Sequence, residues 1–312
     1  MYTVTIPSLL MLFLCGSGCH AHRVSYGTEV TLPLVHTSTD TRRIYVAADA
    51  GGDHVWFLDT GNPVTTCDSG LIEHLGLQDF GRRAYAGIIG KGIATLADLP
   101  AMQLGDHQVE GVRCMVRDLT TTSSIIEPEE VAVAGILGMD VLSHFRFAID
   151  LTGGTLTLSP PSREDRDMET PIRWSPLTRR MRIQTDVGDA SLKMIVDTGA
   201  TDSILDGESL GLEPSHAGLG QWLRGSGHHG SQAQPLSHYR EDVVLADLEL
   251  GRIELTGLPH APSLLGLDVL GLMPSEWSPR YRRAQFSEPS PARLPLWSEW
   301  KQQGELTTFR LQ

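Results

Sequence analysis

Val55-Trp56-Phe57-Leu58-Asp59-Thr60-Gly61 is an apolar run that ends in an acid, a hydroxyl and a glycine, and 138 residues later Met194-Ile195-Val196-Asp197-Thr198-Gly199 does the same. Each run is the return arm of a hairpin by its pattern, β-rich segments around a Gly/Asp turn. The first begins at Arg42-Arg43-Ile44-Tyr45-Val46 and turns at Gly51-Gly52-Asp53; the second begins at Arg179-Arg180-Met181-Arg182-Ile183 and turns at Gly188-Asp189. Downstream, Gly87 and Gly225 each lie 28 residues past their aspartate, in glycine-rich stretches. Ile136-Leu137-Gly138-Met139-Asp140-Val141-Leu142 and Leu264-Leu265-Gly266-Leu267-Asp268-Val269-Leu270 then close the two units. Four landmarks recurring in one order mark a duplicated unit, not coincidence.

The chain that carries this repeat has 312 residues, a length that by itself suggests about two domains. Its 32 glycines and 18 prolines favour many turns and short strands over long helices. A formal charge of −13 argues against nucleic acid as a partner, because binding phosphate requires a basic face. Five segments are expected: a leader over 1–21, a first unit over 22–158, a polar linker over 159–171, a second unit over 172–273, and a C-terminal extension over 274–312. The extension carries Trp277, Trp297 and Trp300, and its alternating 307–311 stretch is read as a final strand, the displaced counterpart of Thr155-Leu156-Thr157-Leu158.

Two apolar strands leading into Asp-Thr-Gly, each followed in its unit by an apolar-apolar-Gly strand, resemble the aspartic protease superfamily. The short units, Ala200 after the second triplet and the Leu-Leu-Gly-Leu-Asp-Val-Leu string are most similar to its retropepsin branch. The resemblance covers roughly residues 40 to 158 and 172 to 273. It implies an all-β fold of two retropepsin-like β-barrel units related by a pseudo-two-fold axis, with the active-site cleft between them. The implied activity is aspartic-type endopeptidase, with no cofactor and a peptide or protein substrate.

The chemistry stands apart from the family. Hydrolysing a peptide without a metal or a nucleophilic side chain requires an activated water, a base for its proton and an acid for the leaving amine. Two adjacent carboxylates supply both, since like charges in contact cannot both ionise. Asp59 and Asp197 are the candidate pair, each ending an apolar strand where a carboxylate needs a reason to be. Thr60, Gly61, Thr198 and Gly199 match the family's active-site loops, the threonines bonding across the axis. Tyr85, Gly87, Trp222 and Gly225 match its substrate-covering flaps. Asp140 and Asp268 recur as faithfully as the pair, but each sits past a glycine and before an apolar run, and both are read as helix caps. His228, His229 and His238 complete no ligand set, so no metal is expected.

Asn62-Pro63 stands where the family has Ala or Ser, and one reading has the Asn62 side chain donating to Asp59, leaving the shared proton nearer Asp197. The same departure keeps a second function in view, a peptide-binding module that has lost turnover. A homodimer pairing each unit with its twin, and a structural lipoprotein in which both triplets are turns, are further alternatives. Two internal units make a monomer the simpler expectation.

Ile6 to Leu14 is too short to span a bilayer but suits a signal-peptide core. Gly16-Ser17-Gly18-Cys19 resembles the lipobox of bacterial lipoproteins, with Cys19 lipidated, although Gly16 stands where Leu is usual; ordinary cleavage near Ala21 is the alternative. An exported chain, periplasmic or at the cell surface and tethered by an N-terminal lipid, is therefore expected. Export permits a Cys67–Cys114 disulfide. Two buried thiols fit the sequence equally well.

Overall fold

The computed structural model describes residues 22–35, 44–86, 91–119, 133–175, 179–227 and 230–289, with 216–227 and 230–235 described as backbone alone. Both hairpins form. Tyr45–Asp49 pairs antiparallel with Asp53–Leu58, and Arg180–Val187 with Ala190–Val196. The return strand of each then pairs on its far side, in parallel, with the apolar strand of the closing motif: Leu58 opposite Leu137, and Val196 opposite Leu265. A strand flanked on both edges and covered on both faces has no solvent side. That is why Trp56, Phe57 and Leu58, like Met194, Ile195 and Val196, are consecutively buried and read as unbroken apolar runs.

The two units do not close separately. One sheet of 16 strands carries the first unit and continues into the C-terminal region, while an eight-stranded sheet builds the rest of the second unit. The seam is the antiparallel pair of Arg146–Asp150 with Ser275–Ser278, with Phe147 opposite Trp277. Outward from it lie Thr155–Ser159 and Val30–Val35 on one side, and Arg283–Phe286 and Thr170–Pro171 on the other. Within the segment read as a C-terminal extension, Ser275–Ser278 and Arg283–Phe286 are strands that join the first unit's sheet. The expected strand at 307–311, with Trp297 and Trp300, lies outside the described residues. The 159–171 linker is also structured, holding a short 3-10 helix over Arg163–Asp167 and the strand Thr170–Pro171.

Trp277 is fully buried at the seam, its ring edge-on to Phe286 and its Nε1 donating to Ser275 Oγ at 2.9 Å. Beside it Arg146 meets three carboxylates from three segments: Glu276 at 2.9 Å, Glu29 at 3.3 Å and Asp165 at 3.5 Å. Asp165 also accepts from Ser278 Oγ, so the linker is tied to both halves of the seam.

Within the first unit Cys67 and Cys114 form a disulfide, their Cα atoms 5.8 Å apart, between strands Thr66–Asp68 and Arg113–Arg117. Both cysteines are fully buried. Among the described residues no helix is long and apolar enough to cross a membrane.

Candidate active site

Asp59 and Asp197 leave their strands at equivalent points, each holding its backbone N–H on the closing motif: Asp59 on Leu137 O at 3.2 Å, Asp197 on Leu265 O at 3.0 Å. The threonines lock the two loops together. Thr60 Oγ1 accepts from Thr198 N at 3.0 Å and donates to Val196 O at 2.9 Å; Thr198 Oγ1 accepts from Thr60 N at 3.0 Å and donates to Leu58 O at 2.9 Å. All four bonds are buried and each crosses between units.

This grip brings the aspartates into mutual hydrogen-bond contact. It also explains the glycines. A Cβ on Gly61 would lie 2.3 Å from Asp197 Cγ, and one on Gly199 would lie 2.6 Å from Asp59 Cγ. Each glycine thus holds open the space that the other unit's carboxylate fills. Backbone N–H groups complete the setting: Asn62 N donates to Asp59 Oδ1, and Gly199 N to Asp197 Oδ1, both at 2.9 Å.

Burial, and next the charge of Asp197, push the Asp59 carboxyl well above the ordinary aspartate range. Asp197 is raised too, chiefly by burial, but its bond from Gly199 N, the bond with Asp59 and the charge of Arg180 all hold it down. The Asn62 side chain, read from sequence as a donor to Asp59, does not reach it. Asn62 Nδ2 points away, to Thr66 Oγ1 at 3.4 Å, and only its main chain reaches Asp59.

Asp140 and Asp268 are not caps. Gly138 and Gly266 occupy the cap positions, without any side-chain cap bond. The aspartates instead brace the Asp-Thr-Gly loops from below. Asp140 Oδ1 accepts from Thr65 N and Oγ1 at 2.8 and 2.7 Å, and Asp268 Oδ1 from Ser203 N and Oγ at 2.9 and 2.6 Å. The same hydroxyls accept from Gly138 N and Gly266 N. Both closing glycines press on loop backbone, where a Cβ would meet main-chain atoms at 2.6 to 2.9 Å. Thr65 and Ser203 escaped the sequence reading, yet each stands six residues past its aspartate, a recurrence of hydroxyls that the repeat displays. Arg180 escaped it as well, and no linear pattern would have aimed it at Asp197.

Of the candidate flap residues, Tyr85 lies half-buried in strand Phe80–Ala86. Trp222 and Gly225 lie in strand His216–Gly227, opposite Pro235 and Gln232. Gly87, Cys19, His228 and His229 fall outside the described residues; His238 faces Glu254 at 3.7 Å.

The family model described as aspartyl protease matches residues 46–141, the stretch from the first hairpin through Asp140. No curated protein sequence matches the chain. Among solved structures, the aspartic proteinase from Irpex lacteus is similar at 12% identity and a TM-score of 0.50, over 84% of this chain and 98% of that one. The lupine-seed 7S globulin conglutin gamma is similar at 13% identity and a TM-score of 0.48, over 88% and 97%. At such identities the first likeness speaks for the fold, and the second adds nothing to it.

Proposed function

We propose, for a chain that belongs to the aspartic protease superfamily, that it is an endopeptidase whose water is activated between Asp59 and Asp197. Asp197, the less raised of the two, takes a proton from that water as it attacks the peptide carbonyl carbon. Asp59 gives its proton to the carbonyl oxygen, leaving a tetrahedral diol; the proton held by Asp197 then passes to the amide nitrogen as the C–N bond breaks, and Asp59 recovers a proton from a diol hydroxyl as the carboxylic acid forms. The observation that carries this reading is the reciprocal threonine grip, which holds two carboxyls, Asp197 buried and Asp59 half-buried, in contact across the unit interface with glycine opposite each. Two like charges so placed share one proton, the state this chemistry uses.

The test is cleavage of a peptide library from pH 3 to 7 (about the span over which a carboxyl pair shares a proton) by wild type, Asp59→Asn and Asp197→Asn. Loss of cutting in both variants is expected. A wild type that retains peptides and never cuts them would favour the binding module instead.

The buried disulfide supports placing the chain in an oxidising compartment outside the cytoplasm, and the lipobox-like Gly16-Ser17-Gly18-Cys19 supports Cys19 as the lipid attachment. Mass spectrometry of the mature N-terminus tests this; a cytoplasmic chain that still carries residues 1–21 would refute it. One molecule holding both halves of the site works as a monomer, checked by sedentary mass in sedimentation alongside activity.

A further inference from the structure

Tyr85 and Arg117 form an arrangement that the hydrolytic reading does not use. Tyr85 stands opposite Gly92 across the hairpin, and a Cβ on Gly92 would lie 2.4 Å from the ring, so the missing side chain lets the ring lie flat over the neighbouring strand. There it packs on Val64, Ala94 and Met115. Val64 belongs to the loop just past Asp59, and Met115 N donates to Thr65 O of that loop at 3.0 Å. Arg117 is two residues beyond Met115, on the same face of its strand, about 7 Å further along. Its guanidinium lies over the Tyr85 ring, 4.6 Å from the centroid.

A guanidinium held over a ring still has N–H donors to offer, the fork that grips a carboxylate. Arg117 has no ion-pair partner among the described residues. Asp68, its neighbour in register, spends its oxygens on Gly70 N at 2.7 Å and Leu119 N at 2.9 Å. Arg113, four residues earlier, contrasts: it is forked onto Asp98 at 2.7 and 3.1 Å. That pair also neutralises the one acid of the hairpin from Phe80 to Asp98, leaving Arg82, Arg83 and Lys91 as its net charge in a chain of −13 overall.

We propose that Arg117, held on the Tyr85 ring, is a specificity-determining residue that selects an acidic side chain of the substrate on the first unit's side of the dyad. This rests on the reading of the cleft as a peptide site, but not on turnover. The probe is a set of octapeptides centred on Phe-Leu, with one Glu walked through the other positions and each matched by its Gln twin. Binding to Asp197→Asn is read by fluorescence anisotropy, and cleavage by wild type in parallel.

At one position Glu is expected to be favoured over Gln by roughly 10- to 100-fold. Arg117→Gln should bring the ratio near one while leaving the Gln peptide and the melting temperature unmoved, and Arg117→Lys should restore part of the ratio. Absence of a Glu preference at every position, a preference that survives Arg117→Gln, or failure to bind any peptide overturns the proposal. Peptides bound with an Arg117-dependent preference but never cut refute the peptidase reading alone. Peptides cut without preference refute this one alone.

Discussion

Thr60→Ala tests the joint on which the site depends. The substitution strips the acceptor from Thr198 N–H and the donor from Val196 C=O, both across the unit interface and both out of reach of water. A buried group left unpaired costs about 1–3 kcal/mol, so the two together cost roughly 2–6 kcal/mol. Against a whole-chain stability of about 5–15 kcal/mol this is a severe loss. Thr60→Ser keeps the hydroxyl and gives up one methyl, worth about 1 kcal/mol. Urea unfolding followed by tryptophan fluorescence reads the change, since Trp56 and Trp277 are fully buried. Activity should fall with it: a drift of about 1 Å between the carboxyls is enough for a roughly 100-fold loss. The bonds of Thr198 Oγ1 form a separate set, to Thr60 N and Leu58 O. If the loops are one joint, Thr60→Ala with Thr198→Ala costs less than the sum by at least about 1 kcal/mol. An Ala variant that loses under about 0.5 kcal/mol and still cuts at the wild-type rate would refute the reasoning.

Three further outcomes rest on the same geometry. Arg146→Ala strands the buried Asp165 carboxylate and should cost about 3–5 kcal/mol in denaturant melts; Arg113→Ala, on an exposed pair, should cost no more than about 1 kcal/mol, and equal costs would contradict the seam's role. Removing both Cys67 and Cys114, which are 47 residues apart, should lower stability by up to about 4 kcal/mol, and a reductant without denaturant should leave the native fold unmoved; a change in the melt on simple reduction would count against their burial. Because the Asp59 carboxyl is raised above 3.8 in the fold, the native state binds the extra proton, and stability is present below that value and lost as pH rises through the raised one. Asp59→Asn removes that loss, so its stability advantage over wild type should widen from pH 3.5 to 7, and a flat difference in urea melts would sink the assignment.

Much of this was legible along the chain because it is local or repeated. The hairpins before each triplet come from alternation and turn residues, and the pair Asp59 and Asp197 from two triplets in matched apolar context. Asp140 and Asp268 show where local reading misleads. Their place after a glycine looks like a cap, but their partners, Thr65 and Ser203, lie 75 and 65 residues away. Asn62 misled in the same way: its side chain was the visible difference, and its main chain does the bonding.

By itself the sequence determined that there are two like units, that each ends an apolar strand on an acid, and that glycine follows each Asp-Thr. Those are properties of short stretches and of their recurrence, and a chain carries them before it folds. Only the tertiary structure decided that the Asn62 side chain turns away from the pair, that Cys67 and Cys114 are joined, and that residues 275–286 add strands to the first unit's sheet. The last two depend on the approach of segments far apart in sequence. Burial, a neighbouring charge and an edge strand seeking a partner act through space, and no spacing along the chain records them.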